Sequence, residues 1–64
     1  MKINGKEMDL GNDITVNEVI EKLELSVETV VVEINKEIIP KNEYGSKRVK
    51  QDDNVVLVSF VGGG

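Results

Sequence analysis

The chain has 64 residues, twelve acids against eight bases and a formal charge of −4, with no cysteine, no histidine and only two aromatic residues, Tyr44 and Phe60. A domain of this size holds one small core, burying about 60% of the surface its unfolded chain exposes, and has little room for a deep catalytic cleft. The acidic balance and the scarcity of aromatics disfavour nucleic acid, and the missing cysteine and histidine exclude a disulfide framework, Cys/His zinc sites, thiol nucleophiles and imidazole catalysis.

Met1 opens directly into strand-like sequence without the pattern of a signal peptide, and the apolar run Val55–Val58 is far shorter than a membrane span requires. The expectation is a cytoplasmic protein with no membrane partner. Met1-Lys2-Ile3 alternates as a half-buried strand does. Asn4-Gly5 then signals a type I′ hairpin turn, because both residues tolerate positive φ. Lys6 to Leu10 resumes the alternation with Met8 and Leu10 on one face, and Gly11-Asn12-Asp13 is a loop.

Thr15 and Glu18 have the spacing of a capping box, in which the hydroxyl of the N-cap and the carboxylate three residues on satisfy each other's backbone N–H. Ile14 and Val19 stand at the positions of a hydrophobic staple. Val16, Val19, Ile20 and Leu23 share one helical face, which predicts a helix from Thr15 to about Glu24. Thr29 to Ile34 is rich in β-branched residues and reads as a strand with Val30, Val32 and Ile34 inward. Asn35-Lys36 turns the chain into a short strand, Glu37–Ile39, ended by Pro40. A helical turn is expected near Lys41–Tyr44, a loop at Gly45-Ser46, a charged edge strand at Lys47–Lys50, a turn at Gln51–Asn54 and a last strand from Val55 to Val61. Together these predict an α+β two-layer domain with one helix packed across a mixed sheet of four to five strands, formed by residues 1–61, and a flexible glycine tail at 62–64.

Internal chemistry is poorly supported. Asp52-Asp53 and Asp9 with Asp13 are turn residues, whose carboxylates serve local hydrogen bonding, and they make no convincing acid–base pair or metal site. No base adjoins Ser26, Ser46 or Ser59, and the only glycine cluster is terminal, so there is neither a serine nucleophile nor a phosphate loop. Lys47, Arg48 and Lys50 could meet acidic groups on a partner, or simply keep an exposed edge soluble. In the last strand, alternation buries Val55 and Leu57 and leaves Val56, Val58 and Phe60 on the opposite face. A sheet covered by one helix leaves its second face open, and an apolar stripe there marks a protein-binding site. Val61, which leads into the glycines, completes that expected partner-binding set.

The chain ends Phe60-Val61-Gly62-Gly63-Gly64. Two terminal glycines arise by chance about once in 200 chains, so the run asks for an explanation. Three extended residues reach roughly 10 Å. Without Cβ atoms such an arm can enter a narrow channel, and the Gly64 acyl carbon has no α stereocentre to racemise on activation. These properties suit a carboxylate presented to another enzyme.

The opening hairpin, the capped helix, the segment Val32-Glu33-Ile34-Asn35-Lys36-Glu37-Ile38-Ile39-Pro40, Tyr44 and the terminal Gly63-Gly64 together resemble the ThiS family, the sulfur carriers of thiamine biosynthesis, over essentially the whole chain. The resemblance implies a ubiquitin-like β-grasp fold. It implies that a separate activating enzyme, using ATP and magnesium, adenylates the Gly64 carboxylate, and that sulfur from a persulfide donor converts it to a thiocarboxylate. A thiazole synthase would then accept the sulfur. The chain itself would bind no cofactor and act as a protein co-substrate, not an enzyme. The double glycine is shared by ubiquitin-like carriers in general, so three readings stay open: the sulfur-carrying small subunit of molybdopterin synthase, a tRNA-thiolation carrier or protein modifier, and a β-grasp binding module with incidental glycines.

Overall fold

Positive φ at Asn4 (53°) and Gly5 (82°) gives the expected type I′ turn in the computed structural model, which describes residues 1–60. The turn joins β1 (Lys2–Ile3) to β2 (Lys6–Glu7) in antiparallel pairing. The strand stops at Glu7, short of Leu10, although the Met8 N–H still donates to the Met1 carbonyl at 2.9 Å. Beyond the intervening residues 8–13, Ile14–Thr15 form β3 and lead directly into α1 (Val16–Lys22).

The capping box is complete: the Glu18 N–H donates to the Thr15 hydroxyl oxygen (3.2 Å), and the Thr15 N–H donates to the Glu18 carboxylate (2.9 Å). The helix ends at Lys22, two residues before the expected end at Glu24. Glu24 has turned left-handed, with φ 59°, so that its N–H reaches the Glu21 carbonyl and the Leu25 N–H reaches that of Ile20, both at 3.0 Å. This is a Schellman ending made without glycine, which explains why the sequence did not announce it.

β4 (Val30–Ile34) and β5 (Glu37–Ile39) form the second hairpin, again through two left-handed residues, Asn35 (51°) and Lys36 (70°). A 3₁₀ turn at Lys41–Glu43 follows Pro40. β6 (Arg48–Val49) is the charged strand expected near Lys47–Lys50, but it does not join the main sheet. It pairs antiparallel with β3, Thr15 opposite Arg48. The physical reason lies in the cap: an N-cap residue is extended (Thr15 φ −77°, ψ 160°), so the chain entering the helix can serve as a strand.

β7 (Asn54–Ser59) is the centre of the molecule. The main sheet has five strands in the order β2-β1-β7-β4-β5, with β1 parallel to β7 and the other pairings antiparallel. The sheet is therefore mixed, as expected. Val16, Val19 and Ile20 from the helix are buried with Val32, Val55 and Leu57 from the two central strands, so the helix packs across one face in a β-grasp architecture. Val30, Val32 and Ile34 all point inward, and the half-buried Ile14 packs against the same core from its place in the staple. Burial of these aliphatic side chains is the main stabilising term, at about 1.5–3 kcal/mol for each one fully buried. The expected boundary at residue 61 and the tail at 62–64 lie outside the described residues.

Candidate functional site

The strand that leads to the glycines alternates as expected. Val55 and Leu57 are buried, Val56 is half-buried, and Val58 and Phe60 are 47% and 61% exposed. β7 is central, yet its outer face is open among the described residues. The antiparallel register with β4 sets Val58 opposite Val31 and Val56 opposite Glu33, and the register of β4 with β5 sets Glu33 opposite Ile38. The stripe therefore broadens into an apolar face made of Val31, Val58, Phe60 and Ile38, the last 65% exposed.

Val31 and Ile38 were not among the expected site residues. The signal was present: placing Val30 and Val32 inward turns Val31 outward, since successive side chains on a strand point to opposite faces. What the sequence did not supply was the pairing that brings Val31 beside Val58. Next to this face, Thr29, Val31, Ile38, Pro40, Lys41 and Phe60 line an open depression of about 440 Å³. Lys41 is fixed at its rim, its Nζ donating to the Glu28 carbonyl at 2.8 Å. Val61, Gly62, Gly63 and Gly64, the remaining expected site residues, lie outside the described residues.

Two of the turn aspartates, Asp53 and Asp13, are engaged in local structure. Asp53 accepts from the Lys50 N–H (2.8 Å) and from the Asn35 side-chain amide (3.1 Å). Asp13 lies 3.9 Å from the Lys50 ammonium, and its carbonyl accepts from the Arg48 guanidinium at 2.9 Å. Two members of the basic cluster thus hold the loop before the helix. No group of three or more His, Cys, Asp or Glu side chains placed to hold a metal occurs among the described residues. The Glu18 carboxyl titrates below its ordinary value, chiefly because it accepts the Thr15 backbone N–H and secondarily the Thr15 hydroxyl. That shift belongs to the helix cap and not to a reacting centre. No helix among the described residues is long and apolar enough to cross a membrane.

Comparison with known proteins addresses the chain as a whole. A family model described as "ThiS family" matches residues 1–64. The sulfur carrier protein ThiS of Bacillus subtilis is 35% identical over 65 residues, covering 100% of this chain and 98% of that protein. A thiazole synthase of Paramagnetospirillum magneticum is 37% identical over 62 residues, which are 97% of this chain but only 19% of that much longer protein. A crystal structure of the thiamine biosynthesis protein ThiS from Geobacter metallireducens superposes with a TM-score of 0.79 at 32% identity, covering 98% of this chain and 96% of the other. The solution structure of the Geobacter metallireducens protein gives the same TM-score, 0.79. A sheet of this order under a single capped helix, together with a family match that runs through the last glycine, places the chain in the ThiS family.

Proposed function

We propose that this protein is a sulfur carrier of thiamine biosynthesis, with the Gly64 carboxylate as the group that is activated and loaded. The observation that carries the reading is the family match across residues 1–64, which includes Gly62-Gly63-Gly64. A carboxylate is a poor electrophile. In the proposed cycle its oxygen attacks the α-phosphorus of ATP on a magnesium-dependent activating enzyme, pyrophosphate leaves, and the acyl-adenylate forms. The terminal sulfur of a persulfide donor then displaces AMP to give an acyl disulfide. A thiol reductant cleaves its S–S bond, which frees the thiocarboxylate and leaves the donor's sulfur in a disulfide, and the thiocarboxylate gives up its sulfur during thiazole formation. The chain contributes the carboxylate, a thin arm and a docking face, while the catalytic groups reside in its partners in the cytoplasm. This division suits a small domain without histidine or cysteine.

Two further observations support the partners. The open face of Val31, Val58, Phe60 and Ile38 adjoins the strand that leads to the arm, so an enzyme docked there receives the arm directly. A thiazole synthase includes a stretch similar to this chain, which favours such a synthase as the acceptor over a molybdopterin synthase or a tRNA-thiolation system.

Intact mass spectrometry tests the reading. With a cognate activating enzyme, ATP, magnesium, a persulfide donor and a thiol reductant, the protein should first gain an adenylyl group and then hold sulfur in place of one carboxylate oxygen, both at Gly64. An unmodified mass beside a control carrier that is loaded by the same enzyme would leave the binding-module reading in its place. Sulfur on any side chain would refute the mechanism.

A further inference from the structure

The central pair of strands runs further toward the arm than the strands that flank it. β1 pairs with β7 only at Lys2–Asn54 and Ile3–Val55, after which the chain turns away at Asn4-Gly5. β7 continues to Ser59, and the Phe60 N–H still donates to the Thr29 carbonyl at 2.9 Å. Without β1, the Leu57 N–H and carbonyl on that side would lose their ladder partner.

The Asn4 side chain replaces the missing strand. Its Oδ1 accepts from the Leu57 N–H at 2.8 Å and its Nδ2 donates to the Leu57 carbonyl at 3.1 Å, while its own N–H donates to the Val55 carbonyl at 2.8 Å. One turn residue therefore grips both backbone groups of Leu57, three positions before Phe60. The grip depends on the turn: φ 53° at Asn4 puts the side chain over β7, and asparagine is among the few residues that adopt this region readily. The other hairpin uses the same device at the opposite end of the strand. Asn35, at φ 51°, accepts from the Asn54 N–H through its Oδ1 at 3.0 Å. Asn35 thus holds the start of β7 and Asn4 holds its outgoing half.

We propose that Asn4 is a positioning residue for the carrier reaction: by clamping Leu57 it fixes the direction in which β7 delivers the arm to the activating enzyme. This rests on the carrier reading above. It goes beyond that reading in assigning a role to a residue 53 positions away from its partner in sequence, outside both the docking face and the tail. Positioning matters because a small misplacement of a reacting group lowers the rate of the step without altering how tightly the body docks.

The test compares Asn4→Gly, Asn4→Asp and Asn35→Gly in the full chain. Glycine keeps the left-handed turn and removes the side-chain clamp. Aspartate keeps the acceptor for the Leu57 N–H and loses the donor to the Leu57 carbonyl. Asn35→Gly removes a comparable pair of side-chain bonds, to the Asn54 N–H and to Asp53, at the far end of the same strand. For Asn4→Gly, the Leu57 amide should exchange about tenfold faster, and ¹⁵N relaxation should report lower order at Ser59 and Phe60. With the activating enzyme, kcat for pyrophosphate exchange should fall about tenfold while KM for the carrier stays within about twofold. Asn4→Asp should lie between it and the parent, and Asn35→Gly should lower the melting temperature but leave kcat alone. Unchanged order at Ser59 and Phe60, a change in KM alone, or an equal fall in kcat for Asn35→Gly would each overturn the proposal. If the parent chain is not adenylated at all, the carrier reading fails, and the relaxation data still decide whether Asn4 fixes the end of the strand.

Discussion

The Tyr44 hydroxyl donates a 3.1 Å hydrogen bond to the Val30 carbonyl inside the core. β5 ends opposite Val32, and Pro40 stops it from going further, so the Val30 carbonyl has no ladder partner on that flank. Tyr44, carried in by the 3₁₀ turn, supplies one. Its ring is 3% exposed and fills the space beneath the strand end. Tyr44→Phe keeps the ring and strips the partner from a buried carbonyl. A loss of about 1–3 kcal/mol is expected, read as a lower urea midpoint with an unchanged m-value.

The register of β7 predicts opposite outcomes at neighbouring positions. Leu57→Asp buries an unpaired charge and should unfold the domain by circular dichroism. Val58→Asp sits on the open face and should cost the fold under about 0.5 kcal/mol. On the carrier reading it should also weaken binding to the activating enzyme, measured by titration calorimetry. A folded Leu57→Asp protein beside an unfolded Val58→Asp protein would mean that the side chains of β7 point the other way.

Removing Gly63-Gly64 should separate stability from function. The buried core residues among those described all lie at or before Leu57, so the melting temperature should hardly change. Adenylation should disappear. Gly63→Val should impair it as well, because a β-branched side chain thickens and stiffens the arm, whereas Gly62 should tolerate small residues better. Persisting sulfur loading after the deletion would be incompatible with loading at Gly64.

The helix cap makes a prediction in pH. The Glu18 carboxyl is depressed by hydrogen bonds from Thr15, so its stabilising contribution is fully present above the ordinary glutamate range. It is lost as pH falls through the lowered folded-state value. A carboxyl titration followed by NMR should show Glu18 with a midpoint below the ordinary glutamate value. Thr15→Ala strips the hydroxyl but keeps the backbone N–H, so it should raise that midpoint only part of the way toward the ordinary value and weaken, not abolish, the corresponding pH dependence of helix stability.

Much of this architecture is legible in the sequence because local chemistry and global fold agree. Asn4-Gly5, Asn35-Lys36 and Thr15…Glu18 are short-range signals, and each produced its turn or cap where expected. The inward set Val30, Val32, Ile34, Val55 and Leu57 followed from alternation alone. Three features were not legible, for a common reason. The pairing of Ile14–Thr15 with Arg48–Val49, the meeting of Val31 with Val58, and the Asn4 clamp on Leu57 all join residues far apart in the chain. No local periodicity records such a contact. The left-handed Glu24 escaped for a different reason: glutamate gives no hint of the conformation that glycine would have advertised.

The placement of β7 has a consequence for the timing of folding. This central strand is the last of the described strands to be synthesised, and both β1 and β4 must wait for it before the sheet can form. Loops must therefore close over most of the chain before the core repays their entropy, which slows folding relative to a helical domain of equal length. On the ribosome, the nascent chain should stay protease-sensitive until β7 has cleared the exit tunnel. A chain truncated before that strand should never become compact, so every folded copy also possesses the strand that leads to the glycines.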